Sequence, residues 1–216
     1  MSDHDSICRQ LEKENAETRL VTLKNQVNPH FLFNSLAGIY SLVLQNSVKA
    51  PEIILRLSDF LRYVLYETSS DRVDLSRELS AMNDYVELQK LRVGREAAIE
   101  ILLPDETDSW QVAPLLLLPL IENCFKHGIK GAPGPVFAKL LFSISGDHLQ
   151  AYFENNIGVS ADEGSRKVQG IGLINLHNRL DLLYPGKHEL EISDEKDRFI
   201  VKLIIPLHEK TPLPDN

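Results

Sequence analysis

The chain has 216 residues, of which 43% are hydrophobic and 25% charged, and it carries a formal net charge of -8. This composition is ordinary for a globular protein with a buried core, and the absence of a basic stripe argues against a nucleic-acid partner. No apolar run reaches the roughly 18 residues that a membrane helix needs. Cys8 and Cys124 match no metal-ligand spacing, so we expect free thiols in a reducing cytosol.

The first third of the chain is predicted to be helical. Residues 11–46 contain one proline and one glycine, and four apolar side chains recur there at helical spacing: Leu32, Leu36, Ile39 and Val43. At about 100° per residue these four share one side of a helix, with His30 on the opposite side. We therefore expect a buried apolar stripe, an exposed His30, and a local helix distortion at Pro29.

A second helix is predicted from Pro51 to about Glu67, because proline suits a first helical turn and an apolar stripe follows. The stripe consists of Ile54, Leu57, Leu61 and Val64. Two such helices form a hairpin with too little core to stand alone, and pairing two copies into a four-helix bundle provides one. We therefore expect a homodimer, with residues 1–70 as its helical dimerisation domain.

The remainder, residues 71–208, mixes predicted helices with predicted strands. Leu75, Leu79, Met82 and Val86 define one helix, and others are expected over Pro114–His127 and Gly172–Leu183. Strands are expected over residues 98–103, 136–145, 148–155, 188–193 and 199–206. The mixture predicts an α+β fold in which one sheet carries helices on one face, a two-layer α/β sandwich. Residues 157–169 should form a mobile loop and residues 209–216 a disordered tail.

Three separate segments carry the polar side chains of chemical interest, and the first is QVNPHFLFN (26–34). It places His30 on a helix. A nucleophilic histidine needs a neutral ring nitrogen, which an ordinary pKa of about 6.5 supplies at cytosolic pH, and it needs exposure. The alternative is a structural histidine packed beside Phe31 and Phe33, which is the better explanation for most isolated histidines.

The second segment, PLIENCFKHG (119–128), ends a predicted helix with an amide, a cation and an aromatic ring. Asn123 offers an oxygen of the kind that Mg²⁺ prefers when it shares its coordination with phosphates. Lys126 offers a point charge for phosphate, and His127 could lie along a base or a ribose. The alternative is an ordinary polar helix end.

The third segment, GIGLINLHNRL (170–180), reads as a glycine turn that opens a helix. Gly170 and Gly172 permit a backbone path that bulkier residues resist, and the helix behind them offers free N–H groups to phosphate. The alternative is a simple junction between loop and helix. Asn175 and Arg179 lie on one face of this helix, at i and i+4.

Two further side chains keep two interpretations each. Asn155 ends a predicted strand directly before the mobile loop, where its carbonyl could accept a hydrogen bond from the exocyclic amine of adenine or simply terminate the strand. Arg179 could contact nucleotide, or it could be structural and pair with an acid such as Asp181 or Glu122.

In this order the segments resemble the LytS-like sensor histidine kinases of bacterial two-component systems. The family hallmark QxNPHFLFN continues here as LRY (61–63), VDLSREL (73–79), the asparagine segment, GIGLxNxxxRL and LLYP (182–185). The resemblance extends over about residues 20–207. It implies a helical dimerisation and phosphotransfer domain over residues 1–70 and a GHKL-type ATP-binding domain over residues 71–208.

The resemblance also implies roles for individual residues. It implies that His30 is the phosphoacceptor, that Asn123 is the magnesium and phosphate ligand, and that Gly170, Gly172 and Leu173 close on the phosphates. Arg166 and Lys167 in the loop are added as candidate phosphate contacts. With the residues chosen for their chemistry, the expected ATP-binding set is Asn123, Lys126, His127, Asn155, Arg166, Lys167, Gly170, Gly172, Leu173 and Asn175.

The chain departs from the wider kinase pattern at two places. Many GHKL ATPases read adenine with an aspartate in a DxGxG box, where this chain has Asn155, and the missing charge predicts modest nucleotide affinity. Many histidine kinases place an acid directly after the phosphoacceptor, where this chain has Phe31. Asn34 is the nearest polar group but cannot act as a base, which leaves Glu122 as the candidate.

We therefore predict a homodimeric, ATP- and Mg²⁺-dependent protein-histidine kinase that autophosphorylates His30 and passes the phosphoryl group to the aspartate of a response-regulator receiver domain. The full-length protein is expected at the cytoplasmic face of the bacterial inner membrane, held there only through an upstream sensor region that this chain lacks. One alternative is a catalytically silent dimeric module that binds nucleotide and acts through protein contacts. Another is a serine kinase of the anti-sigma type, against which the PHFLFN hairpin argues.

Overall fold

The computed structural model describes residues 29–93, 97–128, 137–156, 171–195 and 197–210, with backbone alone at 127, 128 and 171. Its helices are α1 (Pro29–Leu44), α2 (Ala50–Arg62), α3 (Leu75–Val93), α4 (Leu118–Gly128) and α5 (Ile171–Leu183). Its strands are β1 (Val73–Asp74), β2 (Ala98–Leu102), β3 (Trp110–Val112), β4 (Phe137–Ser145), β5 (His148–Asn156), β6 (Glu189–Asp194), β7 (Arg198–Pro206) and β8 (His208–Glu209).

A five-stranded sheet in the order β2-β4-β5-β7-β6 forms one layer of the second part of the chain. β2 and β4 pair in parallel, and the other neighbours are antiparallel. Alternate residues of its three central strands are buried beneath the helices, as the two-residue period of a strand requires. They are Ala138, Leu140, Phe142, Leu149, Ala151, Phe153, Val201, Leu203 and Ile205. α4 lies across β4 and β5, and α5 packs beside α4. The expected α+β fold, with a helical hairpin ahead of a two-layer sandwich, is confirmed.

The expectation of a single sheet was wrong, because β1, β3 and β8 form a second, antiparallel sheet. These strands have two or three residues each, too few to show a period in the sequence. Asp74 ties the small sheet together: its carboxylate accepts hydrogen bonds from Lys210 Nζ at 2.6 Å and from Gln111 Nε2 at 3.2 Å. The expected disordered tail is therefore ordered through Lys210, and residues 211–216 lie outside the described residues.

The buried face of α1 is not the predicted stripe. Phe31, Ser35 and Ile39 are buried, and Leu32 is half-buried, whereas Leu36 and Val43 are exposed. The reason is that α1 is apolar on two sides, and only one side packs on α2 and α3. The distortion expected at Pro29 concerns the residues before it, which lie outside the described part of the chain.

The exposed side of α1 carries large apolar side chains. Phe33, Leu36, Tyr40, Val43 and Leu44 are all exposed, with Phe33 at 71%. On α2, Ile54 is also exposed, contrary to its place in the predicted stripe, while Leu57 is buried as expected, and so is Val64 just beyond the end of α2. The hairpin thus has an inner face that packs on α3 and an apolar face directed away from it.

Four aromatic rings fix α1 against the rest of the molecule. The Phe31 ring stacks on Tyr85 of α3 with centroids 4.5 Å apart, and it meets Phe60 of α2 edge-on at 5.4 Å. Tyr85 also contacts Phe125 of α4, at 6.5 Å. Each such pair adds to the burial of apolar surface. Phe31 therefore fixes the start of α1 beside α3 and α4. His30, the residue before it, is fixed there as well.

The end of α2 is joined to the second part of the chain by a buried carboxyl group. The helix continues as a π-helical turn over Tyr63–Glu67, as expected for a helix reaching Glu67. The Tyr63 hydroxyl donates a hydrogen bond to Glu78 Oε2, which also accepts one from the Leu115 amide at 2.9 Å. Burial raises the pKa of the Glu78 carboxyl, and these two hydrogen bonds oppose that shift.

The same contacts explain why α4 begins at Leu118, four residues later than the predicted Pro114. Leu115 has a φ of +54°, which no α-helix accommodates. The Arg179 guanidinium donates to the Pro114 carbonyl at 2.6 Å and to the Leu115 carbonyl at 3.2 Å, and the Ala113 amide donates to the Tyr184 hydroxyl. Side chains from distant helices thus take the hydrogen bonds that a helix would have used.

Within the described ranges, none of the helices combines the length and the apolar character needed to cross a membrane.

Replacing Tyr63 by Phe should destabilise the fold, because it removes a donor from a buried carboxyl group while keeping the ring. We expect the free energy of unfolding, measured by urea denaturation, to fall by about 1–3 kcal/mol. Tyr66→Phe in the same π-helical turn is the control, because its side chain is 71% exposed. Equal losses in the two variants would contradict a special role for the Tyr63–Glu78 hydrogen bond.

Candidate functional site

A cleft of about 220 Å³ separates the start of α1 from α3 and α4. It is lined by His30, Phe31, Tyr85, Gln89, Arg92, Glu122, Phe125 and Lys126. Three of these, His30, Glu122 and Lys126, were singled out from the sequence, although His30 lies more than ninety positions before the other two. The fold therefore brings the predicted acceptor histidine to the predicted base within one chain.

His30 itself is exposed, as predicted, and Asn34 contacts its ring. Asn34 Nδ2 lies 3.1 Å from Nδ1 and 3.2 Å from Nε2 of His30. The two residues are one helical turn apart, so α1 alone sets this contact. Asn34 orients the imidazole and, being an amide, takes no proton from it.

Glu122 is half-buried, and burial raises the pKa of its carboxyl group. A hydrogen bond from the Tyr85 hydroxyl and the positive charge of Lys126 act in the opposite direction. A carboxylate whose pKa lies above its usual range is a better proton acceptor near neutral pH. Glu122 thus has the surroundings expected of a general base.

A hydrogen-bonded series on α3 leads to Glu122, and the sequence interpretation missed it. Arg92 Nη1 donates to Gln89 Oε1 at 2.9 Å, and Gln89 Nε2 donates to the Tyr85 hydroxyl oxygen at 2.6 Å. Tyr85 in turn donates to Glu122. The signal in the sequence was present: Tyr85, Gln89 and Arg92 are spaced i, i+4 and i+7, which places three polar groups on one helix face.

The other members of the asparagine segment lie close by but outside the cleft lining. Asn123 is half-buried, and within the described chain its side chain has no hydrogen-bond partner. This fits an oxygen that shares Mg²⁺ with phosphates, because that ion keeps most of its other ligands as water and phosphate oxygens. Cys124 points into the core, and burial raises the pKa of its thiol to about 12. The side chain of His127 lies outside the described residues.

Asn155 is fully buried at the end of β5, on the face of the sheet that α4 covers. Its Nδ2 donates to the Asn156 carbonyl at 3.0 Å, but its Oδ1 has no hydrogen-bond partner in the described structure. A buried carbonyl oxygen without a donor is costly unless something supplies one. The exocyclic amine of adenine is such a donor, so this residue fits the nucleotide that the sequence predicts.

The glycine segment is described in part. Arg166, Lys167 and Gly170 lie outside the described residues. Gly172 is exposed at the start of α5, with no described atom within 4 Å of the position that a Cβ would take. Leu173 is buried in the core and Asn175 is exposed.

Of the two interpretations of Arg179, the structural one is correct, but its partners differ from those expected. It binds the backbone carbonyls of Pro114 and Leu115 in place of an acid such as Asp181 or Glu122.

A family model described as Histidine kinase matches residues 18–97 of the chain. The sensor protein LytS of Staphylococcus epidermidis is 28% identical over 200 residues, covering 88% of this chain and 34% of that protein. The sensor histidine kinase YpdA of Escherichia coli (strain K12) is 30% identical over 186 residues, covering 83% of this chain and 33% of that protein. The chain is homologous to the LytS-like sensor histidine kinases.

The resemblance drawn from the motifs is thereby confirmed, and the family match begins before His30 and ends beyond α3. This LytS-like chain spans about a third of the length of the curated relatives it matches. Among solved structures, the histidine kinase domain of the Erythrobacter litoralis EL346 blue-light activated histidine kinase has a TM-score of 0.49 and 17% identity, covering 89% of this chain and 93% of that one.

Replacing Asn155 by Leu should weaken nucleotide binding while costing the free protein little. The substitution removes an unpartnered acceptor together with one local hydrogen bond, from Nδ2 to the Asn156 carbonyl, so we expect the free energy of unfolding to fall by no more than about 1 kcal/mol. We expect the affinity for a fluorescent ATP analogue with Mg²⁺ to fall by about tenfold or more, the equivalent of one buried hydrogen bond. Asn178→Leu, on the exposed side of α5, is the control. Unchanged affinity in Asn155→Leu would remove this residue from the nucleotide pocket.

Proposed function

We propose that this LytS-like chain is the kinase core of a sensor histidine kinase and that it transfers the terminal phosphoryl group of ATP to His30. The observation that carries the proposal is the cleft in which His30, Glu122 and Lys126 meet. Acceptor, base and phosphate-binding cation are the groups that such a transfer requires, and here they come from α1 and α4 of one chain.

The chemistry follows from the protonation states of the two key side chains. A neutral ring nitrogen of His30 attacks phosphorus; the N–P bond forms as the P–O bond to ADP breaks, and ADP keeps the electron pair. The proton on the other ring nitrogen passes to the Glu122 carboxylate. The raised pKa of Glu122 brings it closer to that of an imidazole, which favours this proton transfer.

The residues that would hold the nucleotide come from α4 and from the end of β5. Asn155 accepts from the adenine amine, Asn123 supplies an oxygen to Mg²⁺, and Lys126 reaches the phosphates. When bound, the metal ion neutralises phosphate charge and favours the loose transition state of phosphoryl transfer. Arg166, Lys167, Gly170, Gly172, Leu173 and Asn175 complete the proposed site, with residues 1–70 as the phosphotransfer domain and 71–208 as the ATP-binding domain.

The partners follow from surfaces described above. The exposed apolar residues of α1 recur at spacings of three and four, the pattern of helices that pair in bundles. We propose that a second copy of the chain covers them, and sedimentation of the chain as a monomer would rule this out. A response-regulator receiver domain then takes the phosphoryl group from His30 onto an aspartate.

Replacing His30 by Gln should abolish acid-labile labelling from γ-labelled ATP and leave nucleotide binding intact, because His30 receives the phosphoryl group and holds no nucleotide. Asn123→Ala should lose both labelling and Mg²⁺-dependent nucleotide binding. His177→Gln, which changes another exposed histidine, is the control and should label normally. Label that survives in His30→Gln would place the acceptor elsewhere, and absence of label in a nucleotide-binding wild type would favour a silent signalling module.

The rate of labelling should rise with pH as the Glu122 carboxyl loses its proton, because only the carboxylate can act as a base. In Tyr85→Phe this acid-side limb should move to higher pH, since the lost hydrogen bond is one that lowers the pKa of Glu122. Phenylalanine retains the ring that stacks on Phe31, and Tyr152→Phe on the sheet is the control. A limb that stays in place in both Tyr85→Phe and Glu122→Gln would exclude Glu122 as the base.

A further inference from the structure

Arg92 is a cation in the cleft that no described carboxylate neutralises. Its Nη1 donates to the amide oxygen of Gln89, which is 4% exposed, and Gln89 is itself held by Tyr85. The other basic residues of α3 differ: Lys90 pairs with Glu87, and Arg77 pairs with Glu67. A buried neutral amide thus fixes the Arg92 guanidinium while leaving its charge available.

A second cation lines the cleft from another helix. Lys126 of α4 is exposed and, like Arg92, forms no ion pair within 4 Å among the residues that the structure describes. The acid that lines the cleft, Glu122, adds at most one negative charge against these two cations. The cleft beside His30 therefore carries positive charge from two walls, although the chain as a whole is acidic.

We propose that Arg92 is a further catalytic residue, which binds the phosphoryl oxygens as they arrive at His30 and holds the phosphohistidine afterwards. This inference rests on the proposed function, since it assigns a further residue to the same cleft. A guanidinium presents a planar fork of donors that matches two phosphoryl oxygens at once. Gln89 acts as a positioning residue, because it fixes the guanidinium through its amide oxygen.

Arg92 takes no part in bond making or proton transfer, because a guanidinium stays protonated at all working pH values. The N–P bond still forms at His30, the P–O bond to ADP still breaks, and the ring proton still passes to Glu122. Arg92 contributes N–H donors and a positive charge at the position where the negatively charged phosphoryl group reaches His30. Interactions of this kind raise kcat.

The first test compares Arg92→Gln with Lys90→Gln, which removes a cation from the same helix outside the cleft. We expect the labelling rate at saturating ATP to fall about 100-fold in Arg92→Gln, by analogy with the loss of one fixed donor from a charge-stabilising site. Nucleotide affinity should stay within about twofold. Arg92→Lys, which keeps the charge and loses the fork, should show an intermediate loss. A weaker nucleotide affinity with an unchanged maximal rate would assign Arg92 to the nucleotide pocket and overturn the proposal.

The second test needs no kinase activity. Phosphoramidate can phosphorylate exposed histidines directly, and the ³¹P resonance that is absent in His30→Gln identifies phospho-His30. A nearby guanidinium favours the more highly charged phosphoryl group, so its titration midpoint should move to higher pH in Arg92→Gln and stay in place in Lys90→Gln. An unmoved midpoint overturns the proposal. A moved midpoint in a chain that never labels from ATP would keep the Arg92 site and refute the proposed kinase activity.

Discussion

The arrangement of both parts of the molecule depends on one buried carboxyl group, that of Glu78. It accepts one hydrogen bond from the Tyr63 hydroxyl, at the end of the hairpin, and one from the Leu115 amide, in the segment that leads into α4. A buried carboxyl group is costly unless hydrogen bonds offset its lost hydration, and here both donors bind Oε2. Because Leu115 is held, α4 begins where it does, and because α4 begins there, Glu122 and Lys126 face His30. Four of the motifs that carry the family resemblance therefore each contribute one residue to this structural junction. These residues are Tyr63, Glu78, Arg179 and Tyr184.

The sequence predicted well those parts of the fold that depend on neighbouring residues. It predicted poorly those that depend on residues far apart in the chain. The stripe of α3 was predicted completely, since Leu75, Leu79, Met82 and Val86 are all buried. The stripe of α1 was not, because periodicity finds an apolar face but cannot choose between two. The start of α4 was misplaced because a proline followed by leucines suits a helix locally, whereas Arg179, sixty-four positions beyond Leu115, takes its carbonyl. The short strands β1, β3 and β8 gave no pattern at all.

The sequence predicted those residues of the candidate site whose side-chain chemistry is distinctive by itself. It did not predict those that matter only through the residues they contact. His30, Glu122 and Lys126 were named from the sequence, and the structure places them in one cleft. Tyr85, Gln89 and Arg92 were passed over, because a tyrosine, a glutamine and an arginine on a helix are common, and only their shared face makes them notable. The unpartnered oxygen of Asn155 could not have been foreseen either, since burial of a strand end depends on how α4 covers the sheet.

The packing of Phe31 also sets the population of an open form of the cleft. Its ring is 3% exposed and contacts Phe60 and Tyr85, so it must leave that packing if the first turn of α1 is to lift away from α3. Exposing a phenylalanine ring costs about 2–3 kcal/mol, which corresponds to an open form at about one molecule in thirty to one in a hundred and fifty. The closed form, in which His30 and Glu122 line one cleft, is then the resting state, and the form in which this turn has lifted away is a minority state. A signal that changed the packing of Phe31 by a single kcal/mol would change that minority population about fivefold.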